Sequence, residues 1–107
     1  MKMANYIYSI IRKSGMIMFS WGFNKPMALP NDEGLIFKVN GFIHKGFVKV
    51  VYSAGQDLFM VILLDSKMNT VKEIEGVYFD MLVDVIDGAV ERTQNYEKRV
   101  NEKYGWE

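Results

Sequence analysis

The segment running from Leu58 to Leu64 is apolar at every one of its seven positions. A β-strand turns successive side chains to opposite faces, so an uninterrupted apolar run reads as a central strand covered on both sides. The Ala54-Gly55-Gln56-Asp57 stretch before it reads as a tight hairpin connection to an earlier strand over Gly46–Ser53. One chain of 107 residues holds one such core, burying roughly 65% of its unfolded surface. The whole of 1–107 is therefore read as a single domain. The question the run poses is what covers its two faces.

The rest of the chain supplies partners. Leu35–Val39 and Gly46–Ser53 are rich in β-branched and aromatic residues, and Asn40-Gly41 between them is the strongest short hairpin signal in the sequence. Phe42–Lys45 is left as either the start of a long bulged strand or the connection itself. Ile17, Phe19, Trp21 and Phe23 alternate with Met18, Ser20 and Gly22, which predicts a strand with one aromatic face. Asn24–Gly34 contains both prolines and reads as a loop. Thr70–Glu75 alternates as a charged edge strand, although Thr70-Val71-Lys72-Glu73 also matches a helix capping box.

Helices close the two ends. In residues 1–15, Met3, Ile7, Ile10 and Ile11 share a face, with Arg12 and Lys13 in the last turn and Gly15 as the stop. Met16 and Met18 stand as alternative starts, which would place that helix outside the domain. Residues 76–104 are predicted as a long helix, with Tyr78, Leu82, Val85, Ala89, Tyr96 and Val100 inward. Asp80, Asp84, Asp87 and Glu91 then lie outward as a solvated acidic face. The expected fold is α+β: an antiparallel meander of four to five strands over residues 16–75, a short N-terminal helix, and the long C-terminal helix across one sheet face. The second face then needs the N-terminal helix, a curl of the sheet, or another copy of the chain.

Most chemistry is excluded by what is missing. With zero cysteines there is no disulfide framework, thiolate metal site or cysteine nucleophile, and the one histidine, His44, rules out a two-imidazole site. No phosphate loop, paired-histidine motif or nucleophile elbow occurs, so no cofactor or metal is expected. Asp57 or Glu73 could act as acid or base, but only a pocket lined by aromatics with a convergent polar group would make an enzyme of the chain. The longest charge-free run, Gly15 to Asn24, is too short and too polar to cross a bilayer. Arg12 and Lys13 interrupt any signal-peptide core.

Charge is balanced at 13 against 13, but unevenly placed: residues 1–53 hold 7 basic and 2 acidic side chains, and the second half holds the reverse excess. Mutual attraction of the halves within one fold accounts for this, and a nucleic-acid surface is the alternative. Lys45-Gly46-Phe47-Val48-Lys49-Val50-Val51-Tyr52 resembles the signature strand of the RNA-recognition motif over eight residues. Lys49 replaces the central stacking aromatic, and no helix and strand fit between this segment and Ile36–Asn40, so that family is set aside. Lys38, Lys45, Phe47 and Lys49 remain as candidate nucleic-acid contacts. The leading expectation is a non-enzymatic cytoplasmic module that acts by protein–protein contact, on a partner the sequence does not identify, and as a homodimer. Ile7, Ile10, Ile11 and Trp21 are its candidate self-association residues, although Trp21 also suits a core.

Overall fold

The computed structural model describes residues 2–90. Helices α1 (Lys2–Arg12) and α2 (Gly15–Ser20) precede five strands: β1 (Asn24–Ala28), β2 (Gly34–Asn40), β3 (Lys45–Ser53), β4 (Leu58–Leu64) and β5 (Thr70–Val77). A 3-10 turn at Phe79–Met81 then leads into α3 (Leu82–Val90). Each strand pairs antiparallel with the next, giving the sheet order β1-β2-β3-β4-β5. The α+β meander expected from the sequence is the observed architecture.

Register sorts the sheet into two faces. Leu35, Val50, Val61 and Ile74 stand in one cross-strand row, and Phe37, Val48 and Leu63 in the next. These inward residues form one core with Ala4, Ile7 and Ile11 of α1 and Leu82, Ile86 and Val90 of α3. Both helices therefore lie on the same side of the sheet. Covering the second face with the N-terminal helix is thus overturned: Ile7 and Ile11 are wholly buried under the first face. Ala4, Ile7 and Ile11 of α1 are thus part of the core.

Two local expectations are corrected. Residues 16–23 do not form an aromatic strand: Gly15–Ser20 is helical, with the Ser14 carbonyl accepting from the Met18 N–H at 2.9 Å. Met16 to Phe19 is an unbroken apolar run, in which a period of two and a period of 3.6 cannot be told apart. The first strand lies instead over Asn24–Ala28, in the stretch expected to be a loop. It is an edge strand, exposed at all five positions, where Pro26 withholds no ladder hydrogen bond that the sheet needs. The connection between β2 and β3 is residues 41–44. Gly46 follows it at φ 141°, where a Cβ would come within 2.3 Å of the Leu64 carbonyl oxygen.

The long C-terminal helix over 76–104 is corrected as well. Gly76 and Val77 belong to β5, the helix begins after the 3-10 turn at Phe79–Met81, and its described part ends at Val90. Residues 91–104 of the expected helix lie outside the described residues. The inward stripe is also rotated from the expected one: Leu82, Ile86 and Val90 are wholly buried, Tyr78 is 57% exposed, and Asp87 is buried rather than solvated. The last described residue of the helix meets the β2–β3 connection, where the Val90 carbonyl accepts from the backbone N–H groups of Ile43 and His44.

Candidate functional site

One face of the sheet carries no helix among the described residues. Its cross-strand rows are Ile36, Lys49, Ile62 and Glu73; Lys38, Phe47 and Leu64; and Gly34, Val51 and Met60. None of these residues belongs to the core under the helices. Ile36 and Leu64 are buried among their neighbours, whereas Phe47, Lys49, Val51, Met60 and Ile62 are half-buried. Leu58–Leu64 is thus covered on one face only by the described residues. Its even-numbered side chains form the middle of an apolar strip that Lys49 interrupts between Ile36 and Ile62, with Lys38 and Glu73 at the ends of its rows.

The four candidate nucleic-acid contacts meet on this face. Lys38 pairs directly with Phe47, while Lys45 and Lys49 alternate with Phe47 along β3. Lys45 is exposed, and Lys38, Phe47 and Lys49 are half-buried. The self-association candidates are placed elsewhere. Ile7, Ile11 and Trp21 are wholly buried within the chain's own core, and Ile10 packs against that core from α1. Ile7, Ile11 and Trp21 thus offer no free surface, and Ile10 is half-buried against the core.

Trp21 has a further role that its neighbours in sequence do not reveal. Its ring lies nearly parallel to Phe37, with centroids 6.4 Å apart, and its Nε1–H donates to Asp87 Oδ1 at 3.0 Å. Its carbonyl accepts from the Asn40 N–H at 2.7 Å. Trp21 therefore ties the end of α2 to both β2 and α3. His44 is likewise structural: it is buried, and its Nε2 lies 3.2 Å from the Phe47 carbonyl, an acceptor for a ring N–H.

A second site lies on the helix-covered side of the sheet. Met3 and Tyr6 of α1, Tyr52 and Phe59 from the β3–β4 hairpin, Asp57 from its turn, and Phe79 line a cleft of about 360 Å3. Tyr52 Oη donates to Asp57 Oδ1 at 2.6 Å, and this hydrogen bond to the carboxylate, more than desolvation, raises the Tyr52 phenol above its ordinary value. The cleft thus combines aromatic rings with one carboxylate. Its residues come from five places in the chain, so no local motif marks it; only the Tyr52–Phe59 cross-strand pair was implicit in the hairpin reading.

Among the described residues no group of three or more His, Cys, Asp or Glu side chains is placed to hold a metal ion. No helix among them is long and apolar enough to cross a membrane. Compared with protein-family models, with curated proteins and with solved structures, the chain matches none.

Proposed function

We propose that the protein is a non-enzymatic interaction module that self-associates by stacking the open sheet faces of two copies. One observation carries this: the central strand is apolar on both sides, yet both helices lie on the same side. The remaining strip of Ile36, Phe47, Val51, Met60 and Ile62 is what two aligned sheets bury when they pack face to face. A five-stranded face of this size has a flat footprint of roughly 400 Å2, so two of them approach the ~1,000 Å2 total that a stable interface needs.

Edge pairing is the less favourable route. At β1 the edge carries Pro26, Lys25 at φ 52° and a register shift between Asn24 and Met27. At β5 it carries Lys72, Glu73 and Glu75, with Gly76 at φ 67°. Both edges thus have the features that discourage strand addition. The open face carries both signs of charge, Lys38 and Lys49 against Glu73, so a two-fold partner can set unlike charges together. A different protein has another apolar surface to use, on α2, where Met16 is 88% and Phe19 is 79% exposed. The absence of cysteine suits a cytoplasmic setting for such a module.

The test is a pair of substitutions. Ile62→Lys lies between Lys49 and Glu73 on the open face; it should weaken association while changing monomer stability by no more than about 1 kcal/mol. Ile10→Asp, on α1, should lower stability and leave the contact surface intact. Loss of association on Ile10→Asp with none on Ile62→Lys would move the interface away from the sheet.

A second reading rests on the convergence of Lys38, Lys45, Phe47 and Lys49 on that same face. These residues would hold a single-stranded nucleic acid through phosphate contacts and one stacked base. Retention on mixed oligonucleotides that falls steeply with salt supports it, and no retention at low salt removes it.

A further inference from the structure

We propose that the cleft between α1, the β3–β4 hairpin and the turn before α3 is an aromatic cage that binds a trimethylammonium group. Its lining is four aromatic rings, one methionine and one carboxylate. Phe59 is 3% exposed and forms the floor, while Tyr6 at 46% and Phe79 at 57% stand as exposed walls. The Tyr6 and Phe59 rings stack with centroids 6.4 Å apart, and Tyr52 leans on Phe59 at 5.3 Å and 54°. The three rings thus meet at different angles beside the cleft, and a cation within about 6 Å of a ring centroid, over its face, is attracted to it.

The carboxylate is deliberately placed. Asp57 sits at φ 56°, a left-handed conformation, with its N–H on the Ser53 carbonyl at 2.8 Å and its Oδ1 accepting from the Tyr52 hydroxyl. Among the described residues no lysine or arginine is paired with it. A negative charge beside aromatic faces selects cations over neutral or anionic ligands. A bare ammonium is compact and strongly hydrated, and loses much on leaving water. A trimethylated one has little hydration to lose, and its methyl groups fit Met3 and the Phe59 floor. The cleft volume is within the range of small-ligand sites. This site lies on the opposite side of the sheet from the open face, so it stands or falls independently of self-association.

Choline is the probe, titrated into the full chain and followed by the aromatic NMR signals, with 3,3-dimethylbutanol as its uncharged isostere. Saturable binding is expected, with shifts at Tyr6, Tyr52 and Phe79 and an affinity at least about ten-fold above that of the isostere. Phe79→Ala and Asp57→Asn should each weaken choline by about five- to ten-fold; both positions are exposed, and the amide spectrum of the sheet reports that the fold is kept. Phosphocholine and trimethyl-lysine, run in parallel, distinguish a lipid headgroup from a modified side chain as the source of the group. Equal affinity for choline and its isostere, no saturation by tens of millimolar, or an unchanged affinity in Phe79→Ala would overturn the assignment.

Discussion

The indole nitrogen of Trp21 donates to Asp87 Oδ1 at 3.0 Å, joining two buried residues 66 positions apart in the chain. A buried carboxylate is costly unless it is hydrogen-bonded, and a buried indole N–H needs an acceptor. The pair thus fixes the rotation of α3 about its own axis. It sets Asp87 inward beside Leu82, Ile86 and Val90 while Asp84 stays exposed.

Removing either half of that pair should be expensive. Trp21→Phe keeps most of the ring and deletes the donor; Asp87→Ala deletes the acceptor. Each is expected to cost about 1–3 kcal/mol in urea unfolding, more for the indole if the smaller ring leaves a cavity. The double variant should cost less than the two singles together, because the residues share one interaction. Strict additivity would show that the contact contributes nothing.

The rotation of α3 gives a second, independent check. Leu82→Asp buries a charge in the seam between helix and sheet and should cost several kcal/mol, whereas Asp84→Lys should be near neutral or mildly stabilising. Asp87→Lys, only three residues further on, should behave like Leu82→Asp. Equal melting temperatures for Asp84→Lys and Asp87→Lys would mean that the inward face is wrongly assigned.

Acid should loosen the β4–β5 connection. Asp65 Oδ1 accepts from the backbone N–H groups of Asn69 and Lys67, both at 2.9 Å, and these bonds, led by that from Asn69, hold its carboxyl below the usual aspartate value. A carboxyl lowered on folding stabilises the native state above its unfolded value of 3.8, and that contribution is lost as pH falls through the lower folded value. Asp65→Asn should therefore flatten the acid limb of a stability–pH curve below about pH 4, with little change in its slope near neutrality. An acid limb identical to that of the parent would show that the turn does not use the charge.

The three central strands were legible because their signals agreed: Leu35–Val39 and Gly46–Ser53 flank a hairpin signal, and Leu58–Leu64 has no polar interruption, whereas the edge strand at Thr70–Glu75 competed with a helix capping box. Residues 16–28 were misread for two reasons. Met16 to Phe19 is apolar throughout and so carries no period, and an edge strand tolerates the proline and polar residues that otherwise mark a loop. The acidic pattern on α3 misled because Asp87 looks like one more solvated carboxylate until Trp21 is brought to it across the fold. The convergence of Lys38, Phe47 and Lys49 followed from strand parity and was legible once the register was set. The aromatic cleft was not legible, since Tyr6 and Phe79 reach it only through the docking of α1 and the turn after β5.

Solution mass across a concentration series tests the stacked-sheet assembly most directly. Light scattering on the full chain at micromolar to high micromolar concentration should report twice the 12.4 kDa chain mass, and Ile62→Lys should return it to a single chain that still unfolds cooperatively. A parent chain that stays at 12.4 kDa throughout the series would contradict self-association through the open face.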